Sequence, residues 1–375
     1  MIQSRMPALQ FGDIRAEIPI IQGGMGVGIS GAKLAAAVAN AGGIGVIASV
    51  GLDLLNPSIR KRKIGDSAQC LKEEILSARK NTQGIIGVNV MVALTDFIPL
   101  VDTAIEADVD ILFLGAGLPL HFSGNFVPER LKYLRTKIVP IVSSARAADL
   151  IFSYWSKKFA HVPDGVVVEG PKAGGHLGFK KEQIFDPSYA LEKLIPPVVA
   201  AVRPYAETYA KEIPVIAAGG IFTGQDIYDI MRLGASGVQM ATRFITTDEC
   251  DADLAFKQAI INAQEDDIVI IQSPVGLPGR AIRNAFISDI EKGVKKPFKC
   301  PYKCLKTCDY KTAPYCIANA LTHAQHGELD DGFAFTGANA HRVHEIVPVR
   351  ELVETLTTEY SHAVSAVHYP VHAIA

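Results

Sequence analysis

The feature that most constrains the fold is a regular alternation between two kinds of segment. Longer stretches of helical periodicity, such as 31–42, 70–80 and 224–234, separate short apolar runs that are rich in β-branched residues. The runs occupy residues 19–22, 44–49, 85–90, 110–115, 137–143, 165–170, 213–220 and 236–242. This alternation predicts parallel strands that are joined by helical crossovers.

The number of units favours one α/β architecture over another. Eight strand and helix units are typical of a (β/α)8 barrel, the TIM barrel. The alternative is a doubly wound open sheet, which binds a dinucleotide at a glycine-rich first turn. The segment GGMGVG at 23–28 has similar glycine spacing, but the acidic residue expected about twenty positions later is absent, because residues 44–49 are apolar. We therefore expect the barrel.

The alternation fails beyond Ala263, and this change predicts the domain organisation of the 375-residue chain. Residues 1–263 are expected to form the barrel. Residues 264–344, which are richer in Pro, Lys and Cys, are expected to form a smaller subdomain. Residues 345–375 then contain a final helix, at 349–360, that returns to the barrel.

The charge balance and the apolar pattern exclude several classes of protein. Lys and Arg number 37 against 39 Asp and Glu, so the chain lacks the basic surface that nucleic-acid binding needs. The first residues, MIQSRMPALQFGD, do not resemble a secretory signal, and no apolar run reaches membrane-spanning length. We therefore expect a cytoplasmic protein with no nucleic-acid or membrane partner.

Two neighbouring strand ends predict a phosphate site. In a barrel, the loops after strands seven and eight usually bind phosphate through backbone amides and a helix amino terminus. Here strand seven ends in AAGGI at 217–221, and strand eight ends in QMATRF at 239–244. A tight turn without a ligand is the alternative for the two glycines. Gly219, Gly220 and Thr242 are the candidate phosphate ligands, and the candidate cofactor-binding residues at these two strand ends are Ala218, Gly219, Gly220, Met240, Ala241 and Thr242.

Amide side chains at other strand ends indicate what the phosphate belongs to. Gln22, Asn89 and Gln239 each end a predicted strand, and an amide can both donate to and accept from the pyrimidine edge of a flavin. Singly, each amide is more often a satisfied core residue than a ligand. The segment Gly23, Gly24 and Met25 would let a flat ring approach the backbone. Together these residues predict a phosphorylated flavin across the barrel mouth.

The loop after strand six carries a candidate acid or base. The run VVVEG ends at Glu169, and the sequence PKAGGH then reaches His176 through Ala173, Gly174 and Gly175. Histidine changes charge near neutral pH, and so many glycines indicate that the backbone passes close to a ligand. A solvated loop histidine is the alternative. We expect His176 to lie over the barrel mouth, and Glu169, Ala173, Gly174 and Gly175 to bind the cofactor there.

Four cysteines predict a second centre. Cys300, Cys304, Cys308 and Cys316 follow the spacing C-x3-C-x3-C-x7-C, which suits a 4Fe-4S cluster or zinc. The spacing matches neither the common zinc pairs nor the usual ferredoxin run. Free thiols or a redox-active disulfide are the alternatives. Neighbouring lysines are expected to lower the pKa of the thiols.

Several segments, in this order and spacing, resemble the nitronate monooxygenase family, formerly called 2-nitropropane dioxygenases. They are PIIQGGMGVG, GVNVM, GAGLP, VEGPKAGGHLG, PVIAAGGI and GVQMATRF, with weaker similarity in GRAIRN (279–284) and FTGANAHRV (335–343). The resemblance implies a TIM barrel with non-covalent FMN, its phosphate at the AAGGI and ATRF loops, and His176 facing the flavin as the catalytic residue. Two features depart from the family pattern: Ala241, where glycine is usual, and the cysteine segment.

The resemblance implies an FMN-dependent oxidation of alkyl nitronates or nitroalkanes with dioxygen. The same segments are similar in FMN-dependent enoyl-ACP reductases of the second type and in quinone reductases, so reduction with NAD(P)H is the alternative. A third hypothesis is a non-catalytic flavin or metal redox sensor. The expected partners are a small-molecule substrate, dioxygen or NAD(P)H, and a second copy of the chain in a homodimer.

Overall fold

Eight parallel strands close into a barrel, as the alternation in the sequence predicts. The structure, a computed structural model, describes residues 5–56, 66–120, 122, 127–300 and 303–368. In chain order its strands are β1 (Leu9–Phe11), β2 (Ile14–Ala16), β3 (Ile20–Gln22), β4 (Ile44–Ala48), β5 (Ile85–Met91), β6 (Ile111–Gly115), β7 (Lys137–Val142), β8 (Val166–Glu169), β9 (Gly175–His176), β10 (Val215–Ala218), β11 (Gly237–Met240), β12 (Ile268–Gln272) and β13 (Pro278–Ile282). Around the barrel the order is β3 to β8, then β10 and β11, which pairs with β3. The TIM-barrel prediction is confirmed.

Helices cover the outside of the barrel and also pack within residues 264–344. They are α1 (Ala32–Asn40), α2 (Asp66–Asn81), α3 (Phe97–Glu106), α4 (Pro128–Leu131), α5 (Ala145–Phe159), α6 (Leu191–Thr208), α7 (Gly224–Arg232), α8 (Thr242–Ile245), α9 (Leu254–Asn262), α10 (Ala285–Glu291), α11 (Ile317–Gln325) and α12 (Val349–His368). The strands β4 and β6 are buried at every position, because they face side chains inside the barrel and helices outside it.

None of the helices in the described ranges is long and apolar enough to cross a bilayer.

The amino-terminal hairpin fills one end of the barrel. Strands β1 and β2 pair antiparallel, and Leu9, Phe11 and Ala16 pack with inward-facing strand residues such as Phe113 and Val167. Phe11 is fully buried. This plug closes the end at which the strands begin, so the opposite end, where they finish, is the one open to ligands.

A small three-stranded sheet joins residues 264–344, for which we keep the name subdomain, to the barrel. Strands β12 and β13 form an antiparallel hairpin, and β9, from the loop after β8, pairs with β13. Behind this sheet, Tyr315 packs edge to face against both Phe286 and Phe333 in a separate apolar cluster. The sheet therefore contains residues from both sides of the domain boundary predicted at residue 263, and that boundary stays a prediction.

The last helix lies against the barrel layer. Helix α12 packs on α7 and α1. Gly224, at the start of α7, allows the close approach, because a Cβ there would lie 2.3 Å from Leu356 O and from Tyr360 N. Its amide also donates to Glu359 Oε2 at 2.6 Å. A glycine and a carboxylate thus fix where the two helices cross.

Candidate active site

A cavity of about 800 Å³ lies at the carboxyl ends of the barrel strands. Its wall contains His176 and most of the residues predicted to bind a cofactor. These are Gly23, Gly24, Met25, Asn89, Glu169, Ala173, Gly174, Gly175, Ala218, Gly219, Gly220, Gln239, Met240, Ala241 and Thr242. The structure therefore brings together residues that lie far apart in the sequence, because parallel barrel strands end on one face.

Gln22 is the predicted residue that the structure does not place in this wall. Its side chain is fully buried, and its amide pairs with the backbone of β4. Nε2 donates to Val46 O at 3.3 Å, and Oε1 accepts from Val46 N at 3.1 Å. Gln22 therefore links β3 to β4 inside the barrel, which is the satisfied core role given as the alternative for a single amide.

The other two amides rest against the glycines of the first loop. A Cβ at Gly24 would lie 2.4 Å from Asn89 Cβ, and one at Gly23 would lie 3.2 Å from Gln239 Cγ. A larger residue at position 24 would displace the Asn89 side chain, and one at position 23 would press closely on the Gln239 side chain. The glycines therefore give Asn89 and Gln239 their positions beside the first loop, and both side chains lie on the cavity wall.

The predicted phosphate loops are covered by a segment from the subdomain. Gly219 and Gly220 both have positive φ, 93° and 90°. Gly220 O accepts from Asn339 Nδ2 at 2.7 Å, and Thr242 Oγ1 accepts from Gly337 N at 3.1 Å. No site residue was predicted in this segment, although it lies in the similar stretch FTGANAHRV (335–343). Its contacts join both loops to one backbone segment, residues 335–343.

Two buried hydroxyls on the cavity wall have no protein partner in the described structure. They are Ser49 Oγ and Thr336 Oγ1, on side chains that are 1% and 2% exposed. Buried polar groups are nearly always hydrogen-bonded, so such a pair points to a bound molecule with polar atoms. Neither residue was predicted from the sequence, because a single serine or threonine gives no signal of its burial.

His176 is held by the subdomain sheet. It pairs with Gly279 in β13, and the next amide, Leu177 N, donates to Pro278 O at 2.9 Å. Nε2 lies 2.8 Å from Ser273 Oγ, and the ring meets Phe335 edge to face at 5.1 Å. Burial lowers the pKa of His176 to about 4. The imidazole is therefore neutral at physiological pH and can act as a base or as a neutral donor.

Glu169 is a second titratable group in the same wall. It ends β8, opposite Ala218 in β10. Burial raises the pKa of its carboxyl to about 7, since water no longer stabilises the charged form. Near neutral pH this side chain can therefore hold or release a proton inside the cavity.

A buried guanidinium supports the loop that carries His176. Arg280, in β13, is 4% exposed, and its Nη1 donates to Pro171 O at 2.7 Å and to Ala173 O at 2.5 Å. Burial lowers the pKa of Arg280 to about 10. Arg280 was not among the predicted site residues; its place in the similar stretch GRAIRN is the sequence signal that points to it.

The cysteine segment forms part of one side of the cavity. Thr95 N donates to Cys304 O at 3.1 Å, and Lys306 N donates to Ala93 O at 3.0 Å, so the segment pairs with the loop after β5. Cys304 lines the cavity, together with its neighbour Leu305. The segment therefore contributes to the shape of the site.

The metal prediction for this segment has no support. All four cysteines are described, and no group of three or more His, Cys, Asp or Glu side chains within the described ranges could hold a metal ion. Burial raises the pKa of Cys308 and of Cys316, and the nearby Cys300 thiol raises both further. The expectation that lysines lower the thiol pKa is therefore wrong for these two cysteines, because burial raises the pKa of each thiol and no lysine is among the groups that shift it.

Comparisons with known proteins agree with this geometry. A family model described as nitronate monooxygenase matches residues 10–359. A "Probable nitronate monooxygenase" from Staphylococcus aureus (strain JH9) is 31% identical over 312 residues, which are 74% of this chain and 78% of the relative.

Solved structures give the same architecture. FabK from Thermotoga maritima has a TM-score of 0.73 and 28% identity, covering 95% of this chain and 96% of that one. Nitroalkane oxidase from Streptomyces ansochromogenes has a TM-score of 0.70 and covers 93% of this chain and 97% of that one. At 23% identity, the second likeness shows the fold alone.

Proposed function

The chain belongs to the nitronate monooxygenase family and is a flavin-dependent oxidoreductase, and from this premise we propose that it uses FMN to oxidise alkyl nitronates or nitroalkanes with dioxygen. The observation that carries the proposal is a neutral imidazole, that of His176, on the wall of a cavity whose other residues suit a flavin phosphate and ring. Because the members of this family are enzymes, we do not retain the hypothesis of a non-catalytic redox sensor.

The residues of the cavity fit FMN. The glycine amides at 219–220 and the hydroxyl of Thr242 would hold the phosphate, since Thr242 accepts from Gly337 N and keeps its own proton to donate. Asn89 and Gln239 would face the ring edge. The unpartnered hydroxyls of Ser49 and Thr336 supply further donors. When bound, FMN supplies the electron acceptor for the oxidation.

His176 and Glu169 are the proton-handling groups of the proposed reaction. A neutral His176 can accept the α-proton of a nitroalkane, or donate a hydrogen bond to a nitronate oxygen. Glu169 changes charge near pH 7 because it is buried. Apolar residues such as Leu94, Leu305 and Leu321 line other parts of the cavity and would keep water from the reacting atoms.

A second candidate function is reduction of an enoyl thioester or a quinone with NAD(P)H. The observation that favours it is the similarity to FabK over nearly the whole of both chains. The same cavity and the same histidine would serve, because protonation next to a carbonyl also needs a positioned acid. The direction of electron flow is therefore the point to test.

Anaerobic titration of the flavin-loaded protein separates the two functions. We expect an alkyl nitronate to bleach the flavin absorption and dioxygen to restore it, while NADH and NADPH leave it unchanged. Bleaching by NAD(P)H without bleaching by the nitronate would replace the proposal by the reductase function. The conjugate nitroalkane, added at the same concentration, shows whether the protein itself removes the α-proton.

A further inference from the structure

The turn between β12 and β13 places a serine hydroxyl on the imidazole of His176. Ser273 is 3% exposed, and its Oγ lies 2.8 Å from His176 Nε2. The backbone of Ser273 is fixed on both sides, since its N–H donates to Leu277 O at 3.0 Å and its carbonyl accepts from Gly276 N at 3.0 Å. The position of the hydroxyl is therefore set by a closed turn.

The two nitrogens of His176 have different surroundings. Nε2 contacts Ser273, whereas Nδ1 has no hydrogen-bond partner in the described part of the chain. The edge-to-face contact with Phe335, at an interplanar angle of 64°, opposes rotation of the ring. Since His176 lines the cavity, Nδ1 is the nitrogen available to a bound molecule.

The surroundings of Ser273 indicate the direction of its hydrogen bond. Val275 N donates weakly to Ser273 Oγ at 3.4 Å. Among the described residues, His176 Nε2 is the acceptor within reach of the hydroxyl proton. A buried hydroxyl proton is seldom left without an acceptor, so Ser273 donates to Nε2. Because burial keeps the imidazole neutral, its one ring proton then lies on Nδ1.

We propose that Ser273 is a positioning residue that holds His176 in the tautomer with the proton on Nδ1, so that the imidazole presents a hydrogen-bond donor to the cavity. The inference rests on the proposed function, in which His176 acts on the bound substrate. A donor suits the oxygen of an anionic nitronate, whereas removal of a proton from a neutral nitroalkane needs a lone pair on the same nitrogen. The preferred substrate form is therefore the nitronate.

Nitrogen NMR of the flavin-loaded protein labelled with [15N]histidine tests the tautomer directly. The His176 signals are assigned by their loss in His176→Asn. We expect a protonated Nδ1 in the parent, a mixture of tautomers in Ser273→Ala, and the parent tautomer again in Ser273→Thr. Ser288→Ala is the matched control, because it removes a hydroxyl of the same subdomain that bonds only within its own helix, to Asn284 O. A proton on Nε2 in the parent overturns the proposal, even where Ser273→Ala does not fold.

Kinetics supply the second measurement. We expect Ser273→Ala to lower kcat/KM for a nitronate about ten-fold, as loss of one hydrogen bond would, and Ser273→Thr to stay within about three-fold of the parent. Unchanged ring signals and turnover in Ser273→Ala refute the positioning role while leaving the proposed function intact. A shifted tautomer in a protein that does not oxidise nitronates supports the positioning role and refutes the proposed function.

Discussion

Burial acts on His176 and Glu169 with one result, a preference for the uncharged form. It lowers the pKa of the imidazole to about 4 and raises that of the carboxyl to about 7. These two side chains therefore add little charge to the cavity wall at pH 6. An anionic substrate would meet a neutral donor in His176 and, below pH 7, a largely protonated Glu169.

Replacement of His176 tests its catalytic role. We expect His176→Asn to retain flavin and to lower kcat on a nitronate by about 10²- to 10⁴-fold, the usual contribution of a positioned acid or base. His326→Asn is the control, because His326 is exposed at the end of α11. Flavin content and steady-state turnover are measured on both. A flavin-bound His176→Asn protein with parental turnover would remove His176 from the mechanism.

Glu169 should give the protein a specific dependence of stability on pH. The folded carboxyl has a pKa of about 7, above its ordinary value of 4.5, so between these values the folded state binds more protons than the unfolded state. Stability then falls as the pH rises through this window. We expect Glu169→Gln to melt several degrees above the parent at pH 8 and to have no such advantage at pH 4.5. An equal difference at both pH values would contradict this.

The β12–β13 hairpin is the element that assembles the site from outside the barrel. Ser273 in its turn contacts the imidazole, β13 pairs with β9, and Arg280 reaches two carbonyls of the loop before His176. Ser273 lies 97 positions from His176 in the chain. Contacts from this one hairpin therefore position the imidazole of His176, although His176 itself belongs to the loop after the barrel strand β8.

Replacement of Arg280 tests whether the β12–β13 hairpin supports the loop before His176. Replacement by methionine fills a similar volume but leaves Pro171 O and Ala173 O without their donor, and a buried carbonyl without a partner is costly. We expect Arg280→Met to bind flavin about ten-fold more weakly and to lose turnover in parallel. Arg283→Met is matched, since it removes an arginine close in sequence whose ion pair with Glu291 is about half exposed and contributes little. Equal flavin affinity in the two variants would show that Arg280 does not support the loop.

At the scale of the whole molecule, the barrel is closed at one end by its first hairpin and bounded on one side by its last helix. The β1–β2 plug and α12 lie far apart in the sequence, and both pack on the barrel rather than on the subdomain. Both ends of the described chain therefore stabilise the barrel whose strand ends form the cavity. The homodimer stays a prediction.

The contact between α7 and α12 can be tested without touching the site. In Gly224→Ala the new Cβ would lie 2.3 Å from the backbone of α12, so one helix must move, and overpacking of this kind costs about 1–3 kcal/mol. We expect a lower thermal midpoint and unchanged flavin affinity. Gln225→Ala, an exposed change on the same helix, is the control. A Gly224→Ala protein as stable as the control would mean that the helices do not pack this closely.

The barrel and most of its cavity wall follow from local patterns in the amino-acid sequence. Periodicity identifies strands and helices, and parallel strands in a closed barrel must end on one face, so polar and glycine residues at strand ends converge without further information. This is why residues as distant as Asn89, Glu169 and Gln239 could be assigned to one site from the sequence alone. The same logic located His176, in a glycine-rich loop after β8.

Tertiary contacts, by contrast, determine which polar groups are available and how they are charged. Gln22 also ends a strand, yet its amide is hydrogen-bonded to the backbone of Val46. The side chains that contact His176 are Ser273 and Phe335, which belong to the subdomain. The spacing of the cysteines did not establish a metal site, because distance along a chain does not fix convergence in space. Hydrogen-bond partners and desolvation depend on neighbours in three dimensions, and local sequence patterns do not encode them.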